Sequence, residues 1–172
     1  MNKEVRLYNL MFPFWLLVFV PLVWLAVLPL NFLIDSLVLL AAAAVLRIGD
    51  KKALYKHSIL KVWAAGFAAD LAGAALLLAS YLLWCLADMR GWVQGDAFAQ
   101  ALLTNPWQHP LALVLTLAAL ALAGWLVYSL DQRWAFRGLG LPPGAGRRLC
   151  LALAVLTAPY VYLVPLAWWW GG

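Results

Sequence analysis

The sequence predicts an all-α, polytopic membrane bundle of five transmembrane helices, with the N-terminus cytoplasmic and the C-terminus outside. Three observations carry this. First, 67% of the 172 residues are hydrophobic, only 11% are charged, and the mean hydropathy is +0.90. A soluble domain carries about 25% charged residues, so these charges are too few to cover a water-facing surface. Second, the apolar residues fall in runs long enough to cross a hydrocarbon core about 30 Å thick. Third, the basic residues collect in short segments between those runs. Disorder is excluded, because disordered chains are poor in apolar residues.

The first apolar run extends from Leu10 to Leu46, 37 residues interrupted by Asn31, Asp35 and Ser36. As one helix it would measure about 55 Å, too long for one crossing. Pro29 and Asn31 mark the natural turn, because Pro stops a helix and Asn starts one. This gives helices at about 10–29 and 31–47, with Pro21 expected to kink the first. No small-x-small cleavage site ends the first of them, so it reads as an uncleaved span rather than a signal peptide.

A basic loop at 47–61 follows, then a helix at about 60–86. The less apolar stretch 87–109 contains a short interfacial helix at 97–103. A fourth span runs at about 110–130, and the Gly- and Pro-rich basic segment 131–148 connects it to a fifth at about 149–168. The whole chain, 1–172, is one transmembrane domain.

Orientation follows from Lys and Arg. The N-terminal segment carries two, the 47–61 segment five and the 131–148 segment four, against Arg90 alone on the other side. Eleven against one places the basic side in the cytoplasm of a multi-pass cell-membrane protein. Aromatic residues agree: Trp92, Trp107 and Trp168 to Trp170 mark the outer interface, and Tyr8, Trp15, Tyr55, Trp63 and Trp134 the inner one. The net charge of +5 then reflects topology and attraction to anionic lipid heads at the cytoplasmic loops. No aromatic–basic motif suggests nucleic acid as a partner.

Two aspartates interrupt the apolar runs. Asp70 lies nine residues past Lys61, about 13 Å along a helix, and Asp35 twelve before Arg47, about 18 Å. Both are expected near the midplane, where ionisable side chains face the bundle or water. Gly66, Asp70, Gly73, Leu77 and Ser80 recur at helical spacing, with Ala69 alongside, so Asp70 belongs to a packed face. Ala112, Thr116, Ala119 and Ala123 form a similar small-residue stripe. Asn31 lies one turn from Asp35, and Thr157 about 13 Å past Arg148. Pro159 next to it cannot donate to the carbonyl of Val155. No basic residue lies at this depth, so charge balance calls for a proton on at least one carboxyl or for a bound cation.

Asp35, Asp70, Asn31 and Thr157 are therefore the candidate ion- or substrate-binding residues. The plainer alternatives are that the aspartates fix helix register, that Asn31 caps a helix, and that Thr157 and Thr116 bond their own backbone. Cys85 and Cys150 are expected at opposite ends of the bundle and unbridged, as are His57 and His109; no metal site and no cofactor is expected.

Enzyme motifs such as H-E-x-x-H or G-x-S-x-G are absent, so an enzyme is the less favoured class. Paired aspartates at one depth form an acid–base dyad in some proteins. The strings Asn31-Phe32-Leu33-Ile34-Asp35 and Phe67-Ala68-Ala69-Asp70 resemble the two aspartate motifs of lipoprotein signal peptidases, also small membrane proteins. Ser36 stands where that family usually has Arg, the second string lacks its Asn, and its other motifs are absent; the activity is not carried over. Three readings are in play. The first is permeation or transport of a proton, small cation or small solute, by a homo-oligomer if a wide pore is needed. The second is a non-catalytic subunit of a larger membrane complex. The third is an intramembrane aspartyl enzyme.

Overall fold

The computed structural model describes residues 20–166. Residues 10–19 of the first expected span, the N-terminal Lys3 and Arg6, and the Trp168 to Trp170 anchor lie outside the described residues. Those described form five α-helices, two short 3-10 turns and one π-helical turn, with no strand. Three helices are long and apolar enough to cross a membrane.

Helix α1 spans Pro21–Val45. Pro21 does not kink it; it occupies the first turn, where its missing N–H leaves nothing unpaired. The expected turn at Pro29 and Asn31 is absent, and the helix runs straight through both. Pro29 removes only the bond to the Leu25 carbonyl, and the neighbouring helix supports this stretch. The Trp63 indole donates to the Leu28 carbonyl at 3.0 Å. Trp24 meets Phe67, and Phe32 meets Trp63, edge to face. Trp63 thus ties the two helices together.

A Schellman motif closes α1. Ile48 N donates to Ala43 O at 3.0 Å and Arg47 N to Ala44 O at 3.1 Å. Arg47 takes the left-handed position usually given to Gly, with φ 53°.

Helix α2 spans Lys51–Met89, 39 residues, about 58 Å at 1.5 Å per residue. It begins well before the expected position 60, so most of the anticipated basic loop is helical. Two features explain this. The Asp50 side chain caps the helix, accepting from Ala53 N at 2.8 Å. Leu54, Ser58, Ile59 and Val62 then form a buried stripe at helical spacing beneath the lysines.

Helix α3, Ala97–Thr104, buries Phe98, Ala101 and Leu102. Helix α4 spans Pro110–Leu130 and continues as a π-helical turn, Asp131–Ala135. Its buried face is Ala112, Thr116, Ala119, Ala123 and Val127, the small-residue stripe read from sequence and one residue more. Helix α5 covers only Ala145–Leu156, and the chain continues as a 3-10 turn at Tyr160–Leu163. The expected uninterrupted helix over 149–168 is therefore broken.

Helix α2 is the spine, with α4 on one side and the antiparallel α1 on another. One core cluster joins Leu39, Leu54, Val62, Val127 and Leu149; a second joins Ala74, Leu77, Phe98, Ala119 and Tyr162. The segments bearing Arg47 to Lys61 and Arg133 to Arg148 lie at the end of the first cluster, and Arg90 at the other.

Arg47→Gly removes a left-handed non-glycine residue and is expected to stabilise the fold by up to about 1 kcal/mol, whereas Arg47→Val is expected to destabilise it by at least as much. Thermal unfolding in detergent measures both.

Candidate functional site

Pro159 is where the site begins. It has no N–H for the Val155 carbonyl, and the residue before a proline is steered away from helical geometry. The helix therefore stops at Leu156. Pro159, at φ −75° and ψ 64°, forms the centre of an inverse γ-turn, with Tyr160 N donating to Ala158 O at 2.7 Å. The orphaned Val155 carbonyl accepts from the Tyr160 hydroxyl at 2.6 Å.

The broken chain then turns back onto α2. The Tyr162 hydroxyl donates to the backbone carbonyl of Asp70 at 2.6 Å. Gly73 makes room for this: a Cβ there would stand 3.2 Å from both the Ala119 carbonyl oxygen and the Tyr162 ring. The far end of the same segment is held by the Trp107 indole, which donates to the Leu163 carbonyl at 2.8 Å.

Between α1, α2 and this broken segment lies a cavity of about 350 Å³. Asp35, Asp70, Asn31 and Thr157, the four residues singled out from sequence, all line it. Asn31 is no helix cap; its side-chain amide donates to Asp70 Oδ2 at 3.3 Å. Asp35 is 4% exposed and has no hydrogen-bond partner among the described residues. Its carboxylate lies over Gly66, where a Cβ would stand 3.4 Å from Oδ2. Asp35 is close enough for its charge to act on Asp70. None of the lining residues is Lys, Arg or His.

Thr157 contributes less than its position suggests. Its hydroxyl donates to the Leu153 carbonyl at 2.8 Å, leaving only lone pairs for a ligand. Thr116 likewise bonds Ala112 at 2.8 Å, and it is absent from the cavity wall. Among the described residues, no group of three His, Cys, Asp or Glu is arranged to hold a metal ion. Cys85 and Cys150 both carry free thiols.

Sequence reasoning missed Asp131. It reads there as the first residue of a polar loop, yet it is 0% exposed at the start of the π turn. The signal was present: the α4 stripe continues from Ala123 through Val127 to Asp131 at four-residue steps. Tyr162 carries no such signal: nothing in its sequence neighbourhood marks its bond to Asp70. The arrangement amounts to an acceptor-rich chamber: two carboxylates, one amide and the carbonyl end of a short helix, walled by apolar side chains.

Gly73→Leu is expected to cost about 1–3 kcal/mol through overpacking between α2, α4 and Tyr162. Gly66→Ala, whose methyl meets Asp35 at ordinary contact distance, is expected to unfold close to the unaltered protein in the same thermal assay. Comparison of the chain with protein-family models, with curated proteins and with solved structures finds no match.

Proposed function

We propose that this chain is a multi-pass protein of the cell membrane that carries a proton, small cation or small solute through the carboxylate-lined cavity. The observation behind this reading is that Asp35 and Asp70 share one cavity, beside a broken helix, with no basic residue on its wall among the described residues. Carboxylates held this way in an apolar bundle are costly unless a proton or cation balances them. Interrupted helices line ion sites in many transporters because unwound backbone is tolerated only around a cavity.

In this reading the end bearing Arg47 to Lys61 and Arg133 to Arg148 faces the cytoplasm, where it meets anionic lipid heads. Helix α5 and the 3-10 turn then lead the C-terminus outward. Asp35 and Asp70 are the ligands, Asn31 orients Asp70, and Thr157 offers a lone pair. Association into a homo-oligomer accommodates any path wider than one chain encloses. A second reading, a non-catalytic subunit, draws on the same lack of a counter-ion: a basic residue of a partner membrane protein would supply it.

The test is flux into proteoliposomes holding the purified full chain. Asp70→Asn is expected to keep the fold, because Asn is nearly isosteric, and to lower flux at least ten-fold. Undiminished flux in this variant would remove Asp70 from the path.

A further inference from the structure

The cavity does not use the most deeply buried acid among the described residues. Asp131 is 0% exposed, and both of its carboxyl oxygens lack a hydrogen-bond partner among the described residues. Burying two acceptor oxygens without a donor costs several kcal/mol in an apolar interior, so the position demands an explanation beyond packing. Asp131 sits at the basic end of α4, at the start of a π-helical turn, and such turns recur at functional positions.

Asp35 connects the two places. It stands on the cavity wall beside Asp70, and Leu39, one turn from it, belongs to the same buried cluster as Val127 and Ala135, one turn either side of Asp131, so Asp35 and Asp131 border one core. The three acids thus form a series. Asp70 and Asp35 face the cavity, and Asp131 lies beyond Asp35, outside the cavity and toward the basic end. We propose that Asp131 is the inner relay carboxyl of a proton path that enters at Asp70 and Asp35, which makes the proton the transported species. This rests on the transport reading of the cavity and narrows it.

The surroundings of Asp131 favour a proton over a metal cation. It does not line the cavity described above, and no three-residue ligand group is available among the described residues. The titratable group facing it from α1 is Asp35, and from α5 it is the buried thiol of Cys150. On α2 the polar groups of this core are already engaged: the Tyr55 hydroxyl pairs with Ser36 at 3.0 Å, and Ser58 donates to Leu54 O at 2.7 Å. Arg133, Arg147 and Arg148 point to the exposed side. In the relay step the protonated Asp131 first releases its proton to water at the basic end, and the Asp131 carboxylate so formed takes the proton of the Asp35 carboxyl. Asp35 regains a proton from Asp70, and Asp70 regains one from water in the cavity. With no direct hydrogen bond between Asp35 and Asp131, the transfer needs a bridging water or a side-chain rotation.

The experiment uses the full chain in proteoliposomes loaded with a pH-sensitive dye, with a potassium gradient and valinomycin driving proton entry. Asp131→Asn is expected to cut proton flux at least ten-fold and Asp131→Glu to restore a substantial part of it. Infrared difference spectra between acid and alkaline buffer supply a second readout: a protonated carboxyl band, shifted in heavy water, is expected to disappear in Asp131→Asn. Loss of flux in Asp70→Asn together with full flux and an unchanged band in Asp131→Asn would overturn the relay and leave the cavity reading standing. Sodium or potassium flux through the unaltered protein without proton movement would also overturn it. Absence of any flux through the unaltered protein would overturn both. Should Asp131→Asn fail to fold, Asp131→Glu carries the test through the carboxyl band: a band shifted by the substitution supports the relay, and an unshifted band overturns it.

Discussion

A single missing N–H shapes this molecule. Because Pro159 cannot donate to Val155, α5 ends after twelve residues and the chain must satisfy its backbone in other ways. Tyr160 takes the freed carbonyl, an inverse γ-turn reverses the direction, and Tyr162 delivers its hydroxyl to the backbone of Asp70. The broken segment lines the chamber from Leu156 to Tyr162 and fastens this wall to the helix that carries Asp70.

That fastening depends on small residues. Gly73 lets Tyr162 and α4 approach α2 at the same point, and Gly66 leaves the space in which the Asp35 carboxyl lies. Both glycines belong to the face of α2 that carries Asp70. The stripe thus does two jobs along one helix. At Gly73 it closes the packing, and about two turns away, at Gly66, it keeps a polar space open. Asn31 joins the two walls by a single amide hydrogen bond. Among the described residues it is the one side-chain donor to the Asp70 carboxyl, so it sets the carboxyl's orientation without neutralising it.

Much of this was legible in the sequence, and what was not has identifiable causes. The four residues chosen for depth and spacing do line one cavity, because helical rise converts sequence distance into depth with little ambiguity. The α4 stripe was legible for the same reason. The turn at Pro29 and Asn31 was misread because local preference was weighed without the neighbouring helix; Trp63 and Asp70 hold that stretch helical. The start of α2 was misread because lysines suggested a loop, while Leu54, Ser58, Ile59 and Val62 carried a helical period beneath them. The significance of Pro159 was visible as a lost hydrogen bond, but the long-range contact of Tyr162 with Asp70 spans 92 residues and leaves no local trace. Asp131 was visible as the next step of a stripe and was hidden by its basic neighbours.

The central claim is a polar, water-reachable chamber inside a membrane bundle, and cysteine accessibility in the native membrane tests it most directly. Both native thiols are first replaced, and single cysteines are placed at Asn31 on the cavity wall and at Leu33 on the outward face of α1, where the side chain is 54% exposed. The account predicts that a small water-soluble thiol reagent modifies Asn31→Cys and spares Leu33→Cys, because the first meets water in the chamber and the second meets lipid. Equal modification at both positions, or modification of Leu33→Cys alone, would contradict it.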